Sequence, residues 1–218
     1  YTSALADFMA AFTNEYAGMH FGSPGAVAIE NALLDWMKNV FSFPKSAVGN
    51  LTSGGSIANL IAFTSARDKH KIKNGRVVNS VVYISSQVHH CIHKAIRITG
   101  MEDVQIRILE LDDLHRINTE KLNQTIEEDI SKGLNPFMVI ASAGTTDTGA
   151  VDPLQKIGRI AQDHNLWYHI DGAYGGFFIL SESKQELFKG IEMADSLVVD
   201  PHKGLFLPYG LGAVLIKD

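Results

Sequence analysis

Two ionisable residues stand where short apolar runs end. Leu166–Ile170 runs straight into Asp171, and Leu197–Val199 into Asp200-Pro-His-Lys203. Apolar runs of this length, bounded by turn residues, read as buried strands, so each charged group arrives at a strand terminus. Ligands of open α/β sheets bind outside the carboxyl ends of the strands. A lysine and a carboxylate delivered there suit pyridoxal phosphate. The amine forms a Schiff base, and the carboxylate partners the pyridinium nitrogen. Most lysines are simply solvated in surface loops. The place of Lys203, just after an apolar strand and a proline, argues against that ordinary fate.

Four further stretches could serve a ligand. Thr52-Ser-Gly-Gly-Ser56 opens a helical pattern. Glycines there let the backbone approach a phosphate, and the N–H groups and dipole of the new helix favour an anion. Read alone, the same run is an ordinary helix start capped by Ser53 or Ser56. The small residues of Gly172-Ala-Tyr-Gly-Gly176 leave room for a flat ring beside Asp171, or form a glycine-rich turn. In Ala143-Gly-Thr-Thr-Asp-Thr-Gly149, hydroxyls reach a ligand at the sheet edge or merely close a turn. In His89-His-Cys-Ile-His93, a helix would set His89 and His93 one turn apart, a zinc-compatible spacing. No His-Glu-x-x-His pattern or cysteine pair accompanies them, so no metal is expected. A single histidine, His89, stacked on an aromatic cofactor explains the position as well, with His90, Cys91 and His93 as ordinary helix residues.

The elements that must hold these groups follow from periodicity. Ala26–Val40 is an amphipathic helix by the recurrence of Ala26, Ile29, Leu33 and Met37. Ile57–Ala66 is a second helix, and Leu122, Ile126 and Ile130 mark a third that stops at Gly133. Asp152-Pro153 reads as a helix start, with Asp152 as N-cap and Pro153 at the first helical position. Val81–Ile84, Val104–Leu111, Phe137–Ala141, Leu166–Ile170, Leu197–Val199 and Ala213–Ile216 read as strands. Strands alternating with helices imply right-handed crossovers and a mostly parallel sheet. The last two strands are joined by a Gly- and Pro-rich segment too short for a helical crossover, so they could pair antiparallel.

With 218 residues, 45% of them apolar and 20% charged, the chain has the balance of a soluble globular domain. The net charge of −5 argues against nucleic acid or an anionic membrane as partner. No apolar run reaches membrane-spanning length. The one cysteine, Cys91, excludes an internal disulfide and fits a reducing compartment, so a cytoplasmic location is expected. The chain starts at Tyr1 without methionine and stops just after the run ending at Ile216. A segment cut at both ends from something longer is the expectation.

Taken in order, these motifs resemble the group II pyridoxal-phosphate-dependent amino-acid decarboxylases, which act on aromatic amino acids, histidine or glutamate. The resemblance spans essentially the whole chain: Gly22-Ser-Pro-Gly25, Glu30 with Asp35-Trp36, Thr52-Ser-Gly-Gly-Ser-Ile-Ala-Asn59, Ser86-Gln-Val-His89, Gly144-Thr-Thr146, Asp152, His169-Ile-Asp-Gly-Ala-Tyr174 and Asp200-Pro-His-Lys203. Each piece is weak alone; the ordered set is specific. It implies a three-layer α/β/α domain with a mostly parallel, mixed seven-stranded sheet, the large cofactor domain of fold type I enzymes, here without the C-terminal small domain. It implies that Lys203 carries the Schiff base, Asp171 pairs with the ring nitrogen, and His89 stacks on the ring and helps return a proton after CO₂ leaves. Gly55, Ser56 and His202 would serve the phosphate, Thr146 would bond near ring or substrate, and Ala173 would pack on the other ring face. Asp200 borders the phosphate where many relatives have Asn. An anion there must be protonated, paired or turned away. The implied partners are an amino-acid substrate and a second subunit in a homodimer. Two other readings stay open: an aminotransferase or carbon–carbon lyase of the same fold type, and a fragment inactive by itself.

Overall fold

The structure, a computed structural model, describes residues 1–16 and 18–217. Its strands are β1 (Val48–Thr52), β2 (Ser80–Ser85), β3 (Gln105–Leu109), β4 (Asn135–Ser142), β5 (Trp167–Gly172), β6 (Ser196–Val199) and β7 (Gly212–Ile216). They form one sheet in the order β1-β7-β6-β5-β4-β2-β3. Neighbours from β6 to β3 are parallel, while β7 pairs antiparallel with both β6 and β1. The short link between β6 and β7 thus makes a reversed pair, as its length requires. β1 consequently runs in the same direction as the parallel set.

The helices are α1 (Thr2–Thr13), α2 (Pro24–Val40), α3 (Gly55–Lys69), α4 (Cys91–Ile98), α5 (Thr119–Ser131), α6 (Leu154–Asp163) and α7 (Pro201–Gly204). Alternate residues of a strand face opposite sides, and both sides are covered here. Tyr83, Val139, Ala141, Ile170, Leu197 and Val199 pack with Leu34 and Met37 of α2, Leu122 and Ile126 of α5, and Leu154 and Ile157 of α6. Val82, Ile84, Met138 and Ile140 pack with Phe63 of α3 and Ile92 and Ile96 of α4, while Val198 and Val214 meet Ala58 and Ala62 of α3. Burial on two faces explains why the central strands are continuous apolar runs rather than alternating ones. The result is the three-layer α/β/α domain that the resemblance implied.

Three elements escape the periodicity reading, among them α7, whose single turn is too short to show a period. β1 is an edge strand whose Gly49 and Asn50 interrupt the apolar pattern. α1 carries Leu5, Phe8, Met9 and Phe12, yet buries none of them. One expectation is corrected. Asp152 does not cap α6, whose N-cap position is Pro153. Its buried carboxylate instead accepts two backbone N–H groups, Ile117 at Oδ1 and Ser142 at Oδ2, both at 2.7 Å. These donors are stranded where β4 ends and where the chain enters α5. Satisfying them outweighs a local cap, because an unpaired buried N–H costs about 1–3 kcal/mol. Burial nevertheless pushes the Asp152 pKa up to about 6, against the pull of the two backbone donors.

An amide at this position accepts one of those N–H groups well and turns its own NH₂ toward the other. Asp152→Asn is therefore expected to lose about 1–3 kcal/mol of stability in urea unfolding near pH 7. A loss below about 0.5 kcal/mol would show that the carboxylate bridge is dispensable.

Candidate active site

The strands that run together deliver their carboxyl ends to one edge, and a cavity of about 310 Å³ lies there. β2 leads to Gln87 and His89, and β4 to Gly144, Thr145 and Thr146. β5 contributes Asp171 and Ala173, and β6 contributes Asp200, His202 and Lys203. β1 leads to Ser53–Ser56 at the start of α3. Every residue singled out from the sequence (Gly55, Ser56, His89, Thr146, Asp171, Ala173, Asp200, His202 and Lys203) lines this one cavity.

The charged groups divide into two sets. Lys203 Nζ stands 2.9 Å from Asp200 Oδ2 across one turn of α7, and the Asp200 carboxylate is almost wholly buried. Asp200 is thus paired, which answers how an anion is tolerated beside an anion cradle. Its second oxygen, Oδ1, is buried with no hydrogen-bond partner among the described residues. Asp171 takes other donors: Ala173 N–H at 3.0 Å to Oδ1 and Asn59 Nδ2 at 3.4 Å to Oδ2. Burial raises the pKa of Asp171; the Ala173 and Asn59 donors pull it back, Asp200 raises it further and Lys203 lowers it.

The start of α3 meets the requirements of an anion site. Its N-cap is Gly54, at φ 136° and ψ 173°, and no side chain caps it. The reading of Ser53 or Ser56 as caps is therefore not realised. That backbone region is essentially reserved for glycine. The Gly55 and Ser56 N–H groups, which have no helix carbonyl to bond, line the cavity at the positive end of the helix dipole, while the Ile57 N–H already donates to the Gly54 carbonyl at 3.2 Å. A β-carbon on Gly55 would come within 3.0 Å of Asp200 Oδ2 and 3.1 Å of the Ala173 methyl, so the wall here is packed to backbone thickness. Nearby, His202 Nδ1 donates to the Leu211 carbonyl at 2.6 Å. Its Nε2 is left for a ligand.

His89 lies in the turn ahead of α4, not on it, so the one-turn spacing to His93 that would suit zinc is absent. Its Nδ1 accepts the Cys91 N–H at 3.3 Å, which leaves Nε2 as the nitrogen carrying a proton. Partial burial and the neighbouring His90 lower its pKa, while Asp171 opposes them. Cys91 is buried against Asn59 Nδ2, and burial drives its thiol pKa to about 12. It is inert as a nucleophile at neutral pH.

Sequence reasoning gave no role to Asn59, Gln87 or Tyr209, which also line the cavity. Gln87 Oε1 accepts from Thr148 Oγ1 at 2.8 Å, tying the β2 and β4 loops together. The Tyr209 ring meets His202 edge-on at 5.1 Å. Asn59 had a usable signal: it is a polar residue in a row of buried α3 side chains formed by Ala58, Ala62, Phe63 and Ala66.

Comparison with known proteins places the chain in a family. Residues 1–218 match the pyridoxal-dependent decarboxylase conserved domain. The chain is 43% identical over 218 residues to an aromatic-L-amino-acid decarboxylase of Bacillus atrophaeus, covering 100% of this chain and 45% of that one. It superposes with a TM-score of 0.93 on the glutamate decarboxylase domain of a Vibrio parahaemolyticus diaminobutyrate-pyruvate transaminase and L-2,4-diaminobutyrate decarboxylase, at 29% identity, covering 99% of this chain and 49% of that one. It also superposes on Oryza sativa tryptophan decarboxylase solved with pyridoxal phosphate and tryptamine, with a TM-score of 0.90 and 25% identity, covering 99% and 47%. The fold is that of the fold type I pyridoxal-phosphate enzymes. The chain belongs to the pyridoxal-dependent decarboxylase family, and it spans about half the length of these relatives.

Proposed function

We propose that this chain supplies the cofactor-binding half of a pyridoxal-phosphate-dependent carboxy-lyase, which converts an L-amino acid to its amine and CO₂. The observation that carries this reading is the meeting of Lys203, Asp171 and the uncapped start of α3 in one cavity. The residues fit the cofactor on their own chemistry. They offer an amine, a carboxylate for a ring nitrogen, a helix start for a phosphate, and a buried Asp200 oxygen that still lacks a donor. Pyridoxal phosphate, when bound, supplies an aldehyde for amine exchange and a protonated ring that accepts the electron pair left by departing CO₂.

The roles of this chain's residues follow from position. Gly55 and Ser56 N–H groups would hold the phosphate, and His202 would join them through an Nε2–H, carrying protons on both ring nitrogens. Lys203, held by Asp200, is the amine presented to the aldehyde. Asp171 would face the ring nitrogen. Two unit charges about 3 Å apart at an effective dielectric near 20 attract by about 5 kcal/mol before desolvation is subtracted. That suffices to keep the ring protonated. Ala173 and His89 would flank the ring, and the Nε2–H of His89 can deliver a proton to the reacting carbon. Thr146, exposed at the end of the β4 loop, would meet ring or substrate. The name of the Bacillus atrophaeus relative favours an aromatic substrate.

A homodimer is part of this proposal. Leu33, Trp36, Leu207 and Leu211 line an apolar groove, Phe206 is exposed next to Leu207 in the chain, and Phe8 and Phe12 are exposed on α1, whose Ser3 hydroxyl donates to the Phe206 carbonyl. Large exposed apolar patches of this kind mark association surfaces. Among the described residues no helix is long and apolar enough to cross a membrane. A reducing, cytoplasmic setting is proposed from the free, buried Cys91.

Borohydride reduction of the cofactor-loaded protein, followed by peptide mapping, is expected to place the pyridoxyl group on Lys203. A group found solely on another lysine contradicts the assignment. Release of CO₂ from a panel of aromatic and acidic L-amino acids tests the reaction itself.

His89→Ala is expected to lower kcat by about 10²-fold or more, the scale of a lost general acid. His90→Ala and His93→Ala should each change it by less than about threefold. Comparable losses in all three, reversed by added zinc, would point to a metal site instead.

A further inference from the structure

Behind the cavity wall, polar groups run in a line through an otherwise apolar layer. Trp167 Nε1 donates to Ser196 Oγ at 2.8 Å. Ser196 Oγ lies 2.8 Å from His169 Nδ1, and His169 Nε2 lies 2.8 Å from Asn59 Oδ1. Asn59 Nδ2 reaches Asp171 Oδ2 at 3.4 Å. Ser196, His169 and Asn59 are wholly buried. Trp167, His169 and Asp171 alternate along β5 and so share the face that meets α3.

One direction of donation in this line satisfies every side chain in it. An indole N–H only donates, so Ser196 Oγ accepts it. His169 stays neutral, because full burial depresses its pKa to about 3. One of its two ring nitrogens therefore carries a proton. If that were Nδ1, the Ser196 proton would lose its acceptor. Asn59 would then have to turn its NH₂ toward the ring and its carbonyl oxygen toward the Asp171 carboxylate. If it is Nε2, every group is satisfied: Ser196 donates to Nδ1, Nε2–H donates to Asn59 Oδ1, and the Asn59 NH₂ is aimed at Asp171. Its second N–H has Cys91 Sγ, at 3.5 Å, as a weak acceptor.

We propose that Asn59 and His169 are positioning residues that present a fixed donor to Asp171 Oδ2 and so hold its carboxylate as the anion a cofactor ring nitrogen requires. The inference rests on the reading of Asp171 given above. The other groups facing Asp171 are the Ala173 N–H, the Lys203 ammonium, the Asp200 carboxylate, His89 and the Cys91 thiol. Of these, Lys203 is already engaged by Asp200, and Ala173 serves the other oxygen. Asn59 is the donor that Oδ2 has.

Three NMR measurements test this. In the wild-type protein with ¹⁵N-labelled histidine, His169 should be the neutral Nε2–H tautomer from about pH 8 to about pH 5, where an ordinary imidazole takes up a proton. The Nδ1–H tautomer, or protonation within that range, overturns the proposal without need of any variant. With pyridoxal phosphate labelled at the ring nitrogen, the pH midpoint for loss of the ring proton should rise in Asn59→Ala by about one unit, the scale of a charge-assisted hydrogen bond, because a carboxylate stripped of its donor is the more basic partner for that proton. An unchanged midpoint in a folded Asn59→Ala protein overturns it. Asp171→Asn separates the two levels. If the midpoint moves in Asp171→Asn but not in Asn59→Ala, the relay alone fails. If Asp171→Asn leaves it unmoved, the role of Asp171 fails and takes the relay with it.

Discussion

The ion pair between Lys203 and Asp200, at 2.9 Å, is the interaction on which the site's arrangement depends. Two carboxylates and one ammonium share the same end of the sheet. Had Lys203 paired with Asp171, the carboxylate proposed for a ring nitrogen would already be neutralised. Asp200 takes the ammonium instead and is shut into the wall behind Gly55. Asp171 is left with neutral donors only, the Ala173 backbone and the Asn59 amide. Neutral donors stabilise a carboxylate without cancelling its charge, so it remains free to pair with a cation.

The fold makes this division possible. Asp171 and Asp200 arrive on adjacent parallel strands, with Asp171 paired in register to Val198. The turn that follows β5 offers the Ala173 N–H, whereas the one-turn helix that follows β6 brings Lys203 back over Asp200. β7 then reverses direction, which carries the Leu211 carbonyl past His202 and fixes that ring. The uncapped start of α3 closes the same cavity from the β1 side. Phosphate, amine and ring nitrogen would each find a partner from a different strand end, the usual economy of parallel α/β sites.

Much of this was legible in the sequence because it is local. Apolar runs that end in Asp171 or in Asp200-Pro-His-Lys203 show a strand and its terminal group together. The Thr52–Ser56 run shows a helix start. The short β6–β7 link predicts its own reversal. What escaped is non-local. Asp152 has the local form of an N-cap, but its carboxylate answers to Ile117, 35 residues away. Asn59 and Asp171 are 112 residues apart, and no spacing rule connects them. β1 was hidden by Gly49 and Asn50 at a sheet edge, where burial does not enforce an apolar pattern. α1 has an apolar composition, and among the described residues nothing buries it.

The central claim is that Lys203 and Asp171 hold opposite ends of one cofactor. A crystal structure of the protein with pyridoxal phosphate tests it most directly. The account predicts continuous density from Lys203 Nζ to the cofactor, a ring nitrogen within about 3 Å of an Asp171 oxygen, and the phosphate on the first turn of α3. A cofactor joined to another lysine, or one whose ring nitrogen faces away from Asp171, would contradict it.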